Sequence, residues 1–102
     1  MNLTSIMKQV QRLQARIAEM KEGLAEKEVE GTAGGGMVRV VVNGRQEVLS
    51  VVIEPEAMED REMLEDLITA AVNDAMRKSK ALMEEELSRI TSELGVNIPG
   101  LF

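Results

Sequence analysis

The chain has no cysteine, histidine, tryptophan or tyrosine, and its single aromatic residue is Phe102, the last of 102. Each absence removes a class of function. Without Cys or His there is no Cys/His zinc site, imidazole base, Ser-His-Asp triad or disulfide framework. Without interior aromatics, unpaired bases cannot be read by stacking on Phe, Tyr or Trp platforms. Long apolar runs are also missing: stretches such as Val40-Val41-Val42 fall far short of the ~20 residues of a membrane span. A soluble, cytoplasmic protein with no membrane partner is expected. An enzyme would have to rely on carboxylates and lysines, yet consecutive acids such as Glu84-Glu85-Glu86 point about 100° apart on a helix and do not converge. No enzymatic activity, small-molecule substrate, metal or cofactor is expected. Residues 1–18 are basic but lack the arginine and serine clustering of a transit peptide, and they read as part of the mature fold.

What the sequence does contain is periodicity. Leu3, Ile6, Val10, Leu13, Ile17, Met20 and Leu24 are spaced alternately by three and four residues, which predicts a helix over residues 1–26 with a heptad-like apolar seam. From Glu28 onward β-branched residues dominate and predict an antiparallel meander with strands at 28–33, 36–43 and 46–54. Asn43-Gly44 marks a hairpin between two of them. Val40-Val41-Val42 and Val51-Val52-Ile53 break strict alternation, so both sheet faces are expected to lose water, one to helices and the other, or an edge, to a partner. Pro55 ends the last strand. Acids Glu56, Glu59, Asp60 and Glu62 then gather where a helix dipole favours them, and apolar positions from Leu64 to Leu94 predict a long helix within 56–94, stopped at Gly95. Residues 95–102 read as an extended tail. The expected fold class is α+β, a single domain over residues 1–102 in the order αβββα. Helices of these lengths would span about 37 and about 50 Å, whereas the strands cover only about 20–27 Å, so both helices must overhang the sheet.

Glycines 31, 34, 35 and 36 lack the Lys-Ser/Thr ending and the following helix of a phosphate loop, and a turn or bulge between strands explains them better. The methionines read mainly as core filling. The basic residues carry more information. Lys8, Arg12 and Arg16 recur every four residues on the first helix, and Arg77, Lys78 and Lys80 interrupt an otherwise acidic second half. With the helices antiparallel and Leu24 near Leu64 as the assumed register, Lys8 would lie level with Lys80 and Arg12 with Met76, so that the two basic groups meet on the overhang. The net charge of −6 hides this polarity: residues 1–45 sum to +2 and residues 46–102 to −8.

Four segments in order resemble the YbaB/EbfC family of bacterial nucleoid-associated proteins: Met7-Lys8-Gln9-Val10-Gln11-Arg12-Leu13-Gln14, Glu30-Gly31-Thr32-Ala33-Gly34-Gly35-Gly36-Met37-Val38, Val42-Asn43-Gly44, and the run from Met63 to Ala75. The resemblance covers essentially the whole chain, including the Pro-Gly-Leu-Phe ending. It implies a tweezer-shaped homodimer whose sheets and helix bases form a core, with protruding helical arms that bind duplex DNA, organise the nucleoid and influence gene expression. In such a dimer Val40, Val42, Val51 and Ile53 are expected at the interface. Lys8, Arg12, Arg16, Arg77, Lys78 and Lys80 are expected on the DNA backbone, where about six phosphate contacts per dimer give a log-log salt slope near −5. Asn73 and Asp74 are expected to serve structure at the helix-sheet junction. The alternative is a protein-binding adaptor or holdase-like module that grips a client through Leu3, Ile6, Met7 and Leu82.

Overall fold

A computed structural model describes residues 2–95. The element order is α1 (Leu3–Leu24), β1 (Glu28–Ala33), β2 (Val38–Asn43), β3 (Val48–Ile53), a 3₁₀ turn (Pro55–Glu59) and α2 (Arg61–Glu93). The αβββα reading holds. The tail expected over 95–102 lies, beyond Gly95, outside the described residues.

Both helices start at side-chain caps. Asn2 Oδ1 accepts from Ser5 N at 2.8 Å, and Asp60 Oδ1 accepts from Met63 N at 3.1 Å, each satisfying a backbone donor that a helix start leaves unpaired. Gly95 follows α2 at φ 69, the left-handed conformation that lets a helix stop without Cβ strain. The strands form an antiparallel sheet in the order β1-β2-β3, with Val40 opposite Gly31 on one side and Val51 on the other. A register shift between Val41 and Val42 bulges the β2–β3 ladder. Gly34, Gly35 and Gly36 all have positive φ and form the β1–β2 turn, a conformation that most residues with a Cβ adopt only under strain.

Two cores follow. The first lies between sheet and helix, where Val38, Val40 and Val42 of β2 are fully buried beneath Ala71 and Ala75 of α2. Small residues at this contact bring the backbones together. A Cβ at Gly31 would stand 2.3 Å from Ala71 O and from Ala75 N, so β1 passes under α2 only as glycine. The second core joins the helices to each other: Met20, Leu24 and Ile90 are buried, with Leu13, Ile17, Leu82, Met83, Leu87 and Leu94 around them. Thus α1 packs on the C-terminal half of α2, and α2 alone covers the sheet, over β1 and β2. The result is an elongated molecule of 66 × 23 × 16 Å, a sheet at one end and a two-helix arm at the other.

This arrangement corrects two expectations. Val40 and Val42 have no exposed surface and serve the intrachain core, because the bulky residues on that side of β2 lie directly under α2. They are unavailable to a partner. The assumed helix register is also wrong: Leu24 meets Ile90, not Leu64, because the tight turn into β1 keeps α1 beyond the sheet edge. The Asn43-Gly44 signal marks a true hairpin, although Gly44 is required for a different reason. Its Cβ would come within 2.7–3.0 Å of Leu24, and its N–H donates to Leu24 O at 2.9 Å, so this glycine is the joint between sheet and arm. The positive φ in that loop belongs to Gln46.

Candidate nucleic-acid interface

The six basic residues picked out in the sequence fall into three settings. Lys8 and Arg12 sit on the free part of α1, exposed, with no ion-pair partner among the described residues. The first acid along α1 is Glu19, well over a turn away from Arg12. These two cations stand at the arm's end, Lys8 about 24 Å along the helix from Leu24 at 1.5 Å per residue.

Arg16 belongs to the same four-residue series but behaves differently. A step of four residues advances about 40° round a helix, so the stripe spirals and by Arg16 has turned toward α2. There its guanidinium bonds to the Glu93 carboxylate and to Glu19 at 3.0 Å. Glu93 first, then Glu19, hold Arg16 still more firmly protonated than usual. A second tie lies nearer the sheet and joins the turn after α1 to α2, where Lys27 Nζ meets Glu86 Oε1 at 2.8 Å and Arg89, on α2 itself, reaches the same carboxylate at 3.2 Å. Lys27 is the main reason that the Glu86 pKa falls below the usual carboxylate range, with Arg89 assisting. These contacts lock the helix pair rather than offering charge to a ligand.

Arg77, Lys78 and Lys80 lie at the arm's base, beside the sheet. Buried Ser79 among them donates to Asn43 O at 2.8 Å, fixing this turn of α2 against the hairpin. Lys78 donates to Glu30 O at 2.8 Å and pairs with Asp74 at 3.2 Å. Asp74 also accepts the Thr32 N–H at 3.0 Å; that hydrogen bond is the leading cause of its lowered pKa, ahead of Lys78. Asp74 therefore has the structural role expected of it, whereas Asn73 is exposed. Arg77 lies 3.9 Å from Asp74, a loose contact, and Lys80 is exposed without an ion-pair partner among the described residues. The expected meeting of the two basic groups does not occur. Lys8 lies beyond the level of Glu93, not beside Lys80, because Arg16 already faces Glu93.

Several partners escaped the sequence reading. Glu93 and Glu86 neutralise Arg16 and Lys27 across the arm, and only the helix register, which the 3-4 seam leaves open, could have revealed them. The adaptor alternative also loses one residue: Leu82 is half-buried against α1. Leu3, Ile6, Met7 and Val10 do stand exposed, Leu3 by 72%. Met58 is exposed as well, so the methionines are only partly core filling. At the sheet, β3 leaves Val48, Leu49, Val51 and Val52 each between 43% and 49% exposed, while Ile53 is half-buried beside the first core. Among the described residues, no group of three or more acids is placed to hold a metal ion, and no helix is long and apolar enough to cross a membrane.

Comparison with known proteins brings these features into one frame. The profile of the YbaB/EbfC DNA-binding family matches residues 1–94. A nucleoid-associated protein of Syntrophobacter fumaroxidans is 55% identical over 101 residues, covering 94% of this chain and 92% of the relative. One from Pelotomaculum thermopropionicum is 48% identical over 103 residues, covering 99% and 96%. The crystal structure of an uncharacterized protein from Helicobacter pylori superposes with a TM-score of 0.75 at 21% identity, covering 92% of this chain and 97% of that one, and thus shares the fold.

Proposed function

The chain belongs to the YbaB/EbfC DNA-binding family, whose matching relatives are bacterial nucleoid-associated proteins, and we propose that it binds the duplex backbone through Lys8 and Arg12 at the end of its helical arm. This is a DNA-binding family rather than an enzyme class. The observation that carries the reading is the exposure of these two cations, without an ion-pair partner among the described residues, on the part of α1 that extends past Glu93 of α2. Phosphate neutralisation needs such residues, since a cation already paired must give up its carboxylate before it can displace a counterion. Arg77 and Lys80 supply weaker, peripheral contacts. Arg16 and Lys78 hold the fold and contribute little.

Two copies act together in this reading. β3 is an edge strand with apolar side chains on both faces and neither proline nor lysine to blunt it, a surface that proteins ordinarily cover. A homodimer formed on Val48, Leu49, Val51 and Val52, with Ile53 at its margin, replaces the interface expected on Val40 and Val42. Its two arms carry four tip cations, and a duplex contacted by all of them gives a log-log salt slope of about −3.6. That is shallower than expected from six contacts. Nucleoid organisation and effects on gene expression follow from occupancy of the chromosome by such dimers.

Fluorescence anisotropy of a labelled duplex tests the reading. Wild type should bind with marked salt dependence, and Lys8→Glu/Arg12→Glu should bind more than about tenfold more weakly at low salt, with dimer mass unchanged by light scattering. Equal binding by the two proteins would refute the role of the tip. For the dimer, Val51→Glu should yield monomers at micromolar concentration, and an unchanged mass would remove β3 from the interface.

A further inference from the structure

The two edges of the sheet differ in what holds their backbone groups. In an antiparallel ladder alternate residues turn their N–H and C=O toward the neighbouring strand and away from it. On β1, Glu30 O and Thr32 N lie on either side of Gly31 and face away from β2, and one turn of α2 takes both. Thr32 N donates to Asp74 Oδ2 at 3.0 Å, and Lys78 Nζ donates to Glu30 O at 2.8 Å. Asp74 and Lys78 stand four residues apart on one helix face and pair with each other at 3.2 Å. Gly31 allows the approach, since a Cβ there would collide with Ala71 and Ala75 of α2. Glu30 and Thr32 are exposed, so water would satisfy the same backbone groups, and an exposed ion pair adds little stability. At the other edge, no side chain among the described residues bonds to the backbone of β3, whose Val48, Leu49, Val51 and Val52 stand open.

We infer that Asp74 and Lys78 close the β1 edge to strand addition by a second copy: the carboxylate accepts, and the ammonium donates, where the C=O and N–H of a neighbouring strand would. The inference rests on the β3 dimer proposed above and sets its limit. A sheet with both edges open adds copies at each, β3 on β3 and then β1 on β1, and that alternation never closes. With the β1 groups occupied only β3 remains, and assembly stops at two. The partner that an opened β1 fits is another β1. Antiparallel pairing centred on Gly31 sets Glu30 of each copy opposite Thr32 of the other, so no like charges face each other there.

Sedimentation velocity tests the closure without DNA, with interference optics because the chain has no Trp or Tyr. Wild type should remain a dimer as concentration rises, whereas Asp74→Ala/Lys78→Ala should grow to at least about twice the wild-type mass. Asp74→Asn/Lys78→Arg keeps an acceptor and a donor and should stay dimeric. Adding Thr32→Pro to the alanine pair removes an outward N–H without breaking a β1–β2 bond, and should return the mass to that of wild type. Far-UV circular dichroism confirms that each variant is folded; if the alanine pair is not, Lys78→Ala alone is judged by the same outcomes at higher concentration. A folded variant that stays dimeric overturns the inference, as does growth that Thr32→Pro does not reverse. Failure of the β3 dimer shows separately, as a Val51→Glu protein of wild-type mass, and the alanine pair with and without Thr32→Pro then still decides whether Asp74 and Lys78 close β1. Where Val51→Glu is a monomer, adding Asp74→Ala/Lys78→Ala should turn it into a dimer paired through β1.

Discussion

Lys8 and Arg12 carry the same charge as Arg16 and Lys78, yet the two pairs occupy different physical situations. The first pair projects from the free stretch of α1 with no ion-pair partner among the described residues. The second is bound to Glu93 and Glu19, or to Asp74 and the Glu30 carbonyl. A basic residue that already holds a carboxylate contributes little to a polyanion, because the new contact must first displace the old one. On the proposed reading, counting bases therefore overstates the binding surface, and the difference between tip and base separates the paired cations from the unpaired ones among the described residues.

The contrast breaks most completely if the arm is detached from the sheet. Leu24 joins the second core to the Gly44 hairpin, and Leu24→Ala should cost about 2–5 kcal/mol in urea unfolding, with duplex affinity falling as the arm loosens. Next in size are changes that turn held cations into free ones. Glu93→Gln combined with Glu19→Gln releases Arg16, and the salt slope should steepen by about one per released contact. Arg16→Ala, by comparison, should leave affinity and slope unchanged and lower stability only at low salt. If Arg16→Ala weakens binding as much as Lys8→Ala does, the distinction between held and free cations fails.

Acid titration gives the next smaller effect. The folded-state pKa values of Asp74 and Glu86 are both lowered, by the Thr32 N–H ahead of Lys78 in one case and chiefly by Lys27 in the other. Their contribution to stability is complete above the pKa of an unfolded carboxylate, and it disappears as pH falls through the lowered values. Thermal melts of wild type and Asp74→Asn should differ at neutral pH and converge in strong acid. A gap that persists there would show that Asp74 acts through packing. The smallest effect is expected of Lys78→Ala, which should loosen β1 slightly and leave duplex binding intact.

Much of this fold was legible from local chemistry. β1 matches its expected span, β2 and β3 begin two residues later than expected, and α2 ends within a residue or so of the forecast stop. The β-branched runs, Pro55, the acids at the helix start and Gly95 all act within a few residues of where they are read. Register does not. The seam on α1 fits many positions along α2, and the choice of Ile90 for Leu24 follows from the tight turn and the Gly44–Leu24 contact, a tertiary close approach with no sequence period. The same gap displaced the expected interface, since Val40 and Val51 are neighbours across the ladder but α2 covers one and leaves the other open. Of the candidate site, the residue types were evident; which of them are neutralised depended on that register.

The most direct measurement is the salt slope of duplex binding, by anisotropy over several salt concentrations, for wild type, Lys8→Ala/Arg12→Ala and Arg77→Ala/Lys80→Ala. Tip cations that carry the binding predict a slope of about −3.6 for wild type, reduced toward zero in the tip variant and changed by less than about one in the base variant. A tip variant that keeps the wild-type slope, or a base variant that loses most of it, would contradict the assignment of the interface to the end of the arm.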